Sequence, residues 1–151
     1  VPSILLSIPH HPQRDDGDCL AAGAAMVLDH LSVSADYDRL LRLLGVKPYG
    51  TPGSHLNNLA DLGVHVRYAQ GTQDELSDYL ARGQPCIVLV RTDQLPYWTY
   101  ATDHAVLVVG FDEQAVYVND PAFEQAPQRV SHADFELAWL EFDYRYAVIW
   151  R

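Results

Sequence analysis

HAVLVVGFDEQAVYVND, residues 104–120, is the stretch whose reading decides the fold. Two runs, HAVLVVG (104–110) and AVYVND (115–120), flank the short polar turn FDEQ. Both are rich in β-branched residues, so they read as the arms of an antiparallel hairpin. PCIVLVR (85–91) is a third, continuously apolar run, as expected of a strand buried on both faces. YRYAVIW (144–150) closes the chain as a further strand, after a helix that Ser131 and Asp134 open around Phe135, Leu137, Ala138 and Trp139.

The first half reads differently. Ala21–Leu31 is rich in Ala, Leu and Met and predicts a helix that starts near Leu20. Asp36 is placed to cap a second helix through Leu44, ended by Gly45. Ser54 is placed to cap a third, to Leu62, stopped by Gly63. VHVRYA (64–69) alternates like a strand. Thr72 and Glu75 form a capping box for a helix ending near Gly83. Helices first and antiparallel strands later predict an α+β domain. The 151 residues suit one domain, 1–151, around one core.

Within the hairpin, one register sets His104 opposite Asp120, Val106 opposite Val118 and Val108 opposite Val116. A carboxylate beside an imidazole holds its tautomer and stabilises the imidazolium. A slip of one residue brings Asn119 to the same place, and Asn can orient a histidine too. The competing interpretation is a surface His–Asp pair without chemistry.

Cys19 stands between the polar turn DDGD and the first helix. A helix start offers free N–H groups and partial positive charge, which stabilise a thiolate. The alternative is a buried cysteine packing as a small hydrophobe. Position alone does not choose between them. Cys86, inside PCIVLV, is expected to be buried and inert. Gln13, six residues before Cys19, can offer its amide to an oxyanion beside the Cys19 N–H. Asp15, Asp16 and Asp18 argue the other way, because carboxylates near a thiolate oppose its formation. A solvated loop that turns them to water removes the conflict. Tyr97, Trp98 and Tyr100 lie in the loop leading to His104, and either line a substrate cleft or cover a core edge.

Composition narrows the partners. Twenty acidic residues against ten basic ones give a net charge of −10, which disfavours nucleic acid and anionic membranes. No apolar run reaches the roughly 20 residues that span a bilayer. The opening VPSILLSIPHHP lacks the basic start of a signal peptide, so the expectation is a soluble, cytoplasmic protein. Two cysteines make no disulfide framework, and neither C-x-x-C nor H-x-x-x-H occurs, so no metal and no cofactor is expected. Nothing in the sequence bears on oligomeric state.

QRDDGDCLAAGAAMVL (13–28), DHAVLVVG (103–110) and VYVNDPAF (116–123) together resemble the peptidase family thirty-nine-like group of cysteine peptidases. Its best-known members are the leader-cleaving domains of bacteriocin ABC transporters, and the wider set is papain-like. The resemblance implies a papain-like fold. It implies Cys19 as nucleophile, His104 as base, Asp120 as its orienter and Gln13 as oxyanion donor. Leu20 stands where transporter-linked members often carry Gly, so their Gly-Gly leader substrate is not carried over. The expected activity is a cysteine peptidase or amidase acting on a peptide or protein. An acyltransferase on the same triad and a silent peptide-binding domain are the alternatives.

Overall fold

The computed structural model describes residues 3–151. Val1 and Pro2, which open the stretch weighed above as a signal peptide, lie outside the described residues. Seven strands form one antiparallel sheet: β1 (Ile4–Leu5), β2 (His65–Gln70), β3 (Cys86–Arg91), β4 (Asp103–Phe111), β5 (Ala115–Asn119), β6 (Gln128–Ser131) and β7 (Arg145–Trp150). Their order is β2-β7-β3-β4-β5-β6, and β1 pairs with β4 beyond the end of β3. Four helices pack on it: α1 (Cys19–His30), α2 (Tyr37–Leu44), α3 (Gln73–Ala81) and α4 (His132–Leu140).

Alternation along the central strands divides the core in two. Ile87, Ala105, Leu107, Val109, Ala147 and Ile149 face α1, α2 and the 3₁₀ run Gly53–Leu62. Val88, Val90, Val106, Val108, Val118 and Val148 face α3 and α4. Residues two apart along a strand share a face, so one run of valines and leucines supplies both cores. The α+β expectation holds, but the sheet is covered on both sides, and β1 and β2 come from the first half of the chain.

Small side chains bring α1 close to the sheet. Ala21, Ala22 and Ala24 have no exposed surface, and a Cβ on Gly23 would sit 3.7 Å from the Ile87 side chain. Such contact gains dispersion that a larger residue could not reach without displacing the helix. The predicted caps form at three helices. Asp36 accepts from the Arg39 N–H at 3.2 Å, Thr72 from Glu75 at 3.2 Å, and Ser131 from Asp134 at 3.1 Å. Gly45 ends α2 with φ 66°, in the left-handed region a residue without Cβ enters cheaply.

Two expectations need correction. Ser54 caps nothing: residues 53–62 wind as a 3₁₀ run after Pro52, with no side-chain cap, and stop at Gly63. The hairpin register also differs. Val108 pairs with Val118 and Leu107 with Asn119, and a bulge follows before Gly110 pairs with Tyr117. Val108 therefore does not face Val116, and His104 is not directly opposite Asp120. The slip is two residues at the open end, so every side chain keeps its face. Extending the pairing sets Asp120 beyond Asn119 as a diagonal neighbour of His104, still within side-chain reach. The bulge lies where β1 joins: a Cβ on Gly110 would stand 2.7 Å from the Ile4 carbonyl oxygen.

Strand β6 has no counterpart among the expected elements. QRVS carries one buried residue, Val130, and its pairing with β5 is set by the sheet edge rather than by its own composition.

Candidate active site

Cys19 is the first residue of α1, and the helix N-terminus brings it to the end of β4, where His104 stands. Asp120 is the first residue after β5. The imidazole Nε2 and Asp120 Oδ1 are 2.6 Å apart, with His104 6% exposed and Asp120 not exposed at all. That bond leaves Nδ1 as the ring nitrogen free for the thiol. Cys19 and the ring line one cavity, where a hydrogen bond and negative charge from the cysteine favour a protonated imidazole.

The electrostatics follow from burial and partners. Burial is the largest influence on His104 and works against protonation. It is outweighed by the hydrogen bond to Asp120, then that to Cys19, then their charges, and the ring's pKa is pushed up to about 9. For Asp120 burial again opposes charge. The His104 hydrogen bond and charge, the Ala122 N–H and the Trp98 N–H prevail and hold its pKa below the usual carboxylate value. Cys86, as expected, is fully buried, and desolvation pushes its thiol far up.

Asp120 is held by four donors. Besides His104, the Ala122 N–H reaches Oδ1 at 2.9 Å. The Tyr97 hydroxyl and the Trp98 indole N–H each reach Oδ2 at 2.8 Å. The Trp98 ring also stands edge-on to His104, with centroids 4.9 Å apart. Tyr97 and Trp98 thus fix the carboxylate as well as lining a cleft. Tyr100, 62% exposed, packs its ring on Trp98 at 5.2 Å. Asn119, the other candidate orienter, faces the opposite side of the sheet, where its amide meets Met26 Sδ at 3.8 Å.

Gln13 lines a cavity together with Tyr97, Trp98 and His104. Its backbone N–H donates to the Pro121 carbonyl at 2.8 Å, tying the loop before α1 to the segment after Asp120. One side-chain N–H donates to the Asp15 carbonyl at 2.8 Å. An amide NH₂ has a second donor to offer. Asp15 and Asp16 are exposed, so water screens their charge. Asp18 is buried and faces away from the helix it precedes.

Two cavities meet at Asp103 and His104. One, about 510 Å³, is lined by Gln13, Asp15, Asp16, Trp98, Tyr100 and Phe123 among others. The second, about 330 Å³, holds Cys19 and is walled by Tyr49, Gly50, Gly53, Leu89 and Phe142. Sequence reasoning missed this wall. Tyr49, 88% exposed, sits in a Pro/Gly-rich turn whose composition signals a loop without placing it. Phe142 is presented by a turn in which Asp143 and Tyr144 both adopt positive φ. A further cavity, about 850 Å³ between His10 and Tyr37, contains none of Cys19, His104 and Asp120. Among the described residues no three His, Cys, Asp or Glu side chains gather as a metal site, and no helix is long and apolar enough to cross a membrane.

A cysteine at a helix start, an imidazole and a buried carboxylate form one contiguous set. The profile of the Peptidase_C39 like family matches residues 5–147. The chain belongs to that family. Membership in that family supports a peptidase function for the chain. Solved structures share the papain-like fold over nearly the whole chain. A protein described as a C39-like peptidase from Bacillus anthracis superposes with a TM-score of 0.83 at 18% identity, covering 100% of this chain and 98% of that one. The double glycine motif protease from the AMS/PCAT transporter, solved in complex with the leader peptide, gives 0.75 at 18%, covering 99% and 97%. The peptidase domain of Streptococcus ComA, a bi-functional ABC transporter involved in a quorum-sensing pathway, gives 0.74 at 22%, covering 97% and 96%. At such identities these likenesses speak for the fold. No curated protein matches the chain.

Proposed function

We propose that residues 1–151 form one peptidase domain that cleaves a peptide or amide bond through Cys19, His104 and Asp120, with Gln13 as oxyanion donor. The observation that carries this is the placement of the His104 ring, bonded at Nε2 to a buried carboxylate and flanked by the Cys19 thiol. Cys19 gives its proton to His104, and the thiolate attacks the carbonyl carbon. The Cys19 N–H and the second Gln13 N–H hold the oxyanion. The imidazolium protonates the leaving amine, and water clears the acyl-enzyme with His104 as base. Asp120 stays ionised throughout and fixes the ring.

The test is alkylation by iodoacetamide across pH, mapped to each cysteine by mass spectrometry, in wild type and His104→Ala. Cys19 is expected to react much faster than Cys86, and to lose that advantage in His104→Ala. In wild type the peptidase activity is expected to decline as pH rises through about 9, where His104 gives up the proton it must donate. Equal Cys19 reactivity in both proteins at every pH would refute the assignment.

A further inference from the structure

Asp18 holds the N-cap position of α1 and does not cap it. Its carboxylate makes no bond to the helix N–H groups, although Asp is among the residues that commonly do so. Both oxygens point back along the chain instead. Oδ1 accepts from the Asp15 N–H at 2.9 Å. Oδ2 accepts from the Arg14 N–H at 3.2 Å and from the Tyr37 hydroxyl at 2.6 Å. The residue is 3% exposed, and a carboxylate so placed is tolerable because three donors meet it. Arg14 closes the arrangement from outside, its guanidinium 4.2 Å from the Tyr37 ring centroid.

This geometry has two consequences at the cleft. The first N–H groups of α1 are left without a side-chain partner, and that of Cys19, at the cavity, is free to meet an oxyanion. The turn 14–18 is also fixed from within. The Asp18 N–H donates to the Asp15 carbonyl at 3.3 Å, while that same carbonyl accepts the Gln13 side-chain N–H at 2.8 Å. A line of hydrogen bonds therefore runs from Tyr37 on α2, through Asp18 and the turn, to the amide of Gln13.

We infer that Asp18 is a positioning residue that sets the Gln13 amide for the oxyanion, with Tyr37 as its support. This rests on the acyl-transfer reading above. Without the Asp18 carboxylate the Arg14 and Asp15 N–H groups lose their acceptor, the turn opens, and the Asp15 carbonyl no longer aims the amide.

Two reactions of Cys19 separate this role from a structural one. In acylation by p-nitrophenyl acetate, the sulfur bonds to the carbonyl carbon, an oxyanion forms, and p-nitrophenolate leaves. Alkylation by iodoacetamide displaces iodide and forms no oxyanion. Both rates are measured in wild type, Asp18→Asn, Gln13→Ala and the double variant. Loss of one oxyanion donor costs about 10²–10³-fold, so a misaimed donor in Asp18→Asn is expected to slow acylation about 10–100-fold while alkylation changes less than about threefold. In the Gln13→Ala background the second change is expected to add little, because both act through one amide. Fully additive losses, or equal losses in both reactions, would overturn the inference. If Asp18→Asn does not fold, Tyr37→Phe removes only one hydroxyl from the line. It is expected to slow acylation selectively, and unchanged acylation there overturns the inference as well. A wild type without a Cys19-dependent burst of p-nitrophenolate would sink the acyl-transfer reading itself, and this inference with it.

Discussion

Asp120→Asn removes a charge and exchanges an acceptor for a donor at a site with no exposed surface. The carboxylate receives four donors: the His104 Nε2 and Ala122 N–H on Oδ1, and the Tyr97 hydroxyl and Trp98 N–H on Oδ2. An asparagine has one acceptor oxygen. If that oxygen replaces Oδ1, the new NH₂ confronts the indole N–H, which can only donate. If it replaces Oδ2, the NH₂ confronts the Ala122 N–H, which can only donate. Either orientation strands a buried donor, at about 1–3 kcal/mol independent of pH. A second, pH-dependent loss comes from the charges. Asp120 has a lowered pKa when folded, so its contribution is present above about pH 3.9 and is lost as pH falls through its folded value. His104 is raised to about 9, so its contribution is complete below about pH 6.5 and is lost as pH rises through about 9. The two overlap between about pH 4 and 6.5, where breaking the buried pair is expected to bring the total to about 3–5 kcal/mol. The assay is urea unfolding of wild type and Asp120→Asn from pH 3 to 10. The stability gap is expected to peak near pH 5–6 and narrow on both sides. A gap that is flat with pH, or that widens toward pH 10, would refute the assignment of an ionised His104–Asp120 pair.

Two further substitutions probe the surroundings of that pair. Trp98→Phe keeps an aromatic ring beside His104 but deletes the N–H bonded to Asp120. The expected cost is about 1 kcal/mol in thermal or urea stability, with a lower turnover number and a little-changed KM; a rise in KM alone would mean that Trp98 serves substrate and not the carboxylate. Gly17→Ala drives a methyl into the backbone just before the Tyr49 turn, since a Cβ there would stand 2.3 Å from the Lys47 carbonyl oxygen and 2.7 Å from that of Pro48. Overpacking of this kind costs about 1–3 kcal/mol and should push the Tyr49 turn outward, lowering Tm and peptidase activity together; a variant as stable and active as wild type would show that the turn yields freely.

The local chemistry of this chain is legible in its sequence. Asp36, Thr72 and Ser131 cap their helices because a short polar side chain before an apolar-periodic run has one nearby set of free N–H groups to satisfy. The valine-rich runs make strands because β-branched side chains lose rotamer freedom in a helix and pack well on a pleated surface. Cys19, His104, Asp120 and Gln13 are singled out by motifs that resemble one family; Gln13 and His104 line one cavity, Cys19 and His104 the adjoining one, and Asp120 bonds His104. Longer-range features are not legible in this way. The hydrophobic pattern forbids a slip of one residue but is blind to a slip of two, which keeps every face, so the hairpin register is set by the bulge and by β1 closing over Gly110.

The side-chain partners across the cleft are equally beyond the sequence. Tyr97 and Trp98 are legible as aromatic residues near His104. That their polar tips serve Asp120 depends on how the loop after β3 folds over the end of β5. Asp18 reads in sequence as a charge opposed to the thiolate, and only the packing of α2 against α1 brings Tyr37 to meet it and turn it away. Sequence by itself determined the four α-helices, the longer strands and which residue types are available for chemistry, because those follow from hydrogen bonding and periodicity within a few residues; β6 and the 3₁₀ winding of 53–62 did not follow from it. Tertiary structure decided register, burial and which carboxylate faces which donor, because these depend on the close packing of α1 and α2 against the sheet, whose contacts join residues far apart in the chain.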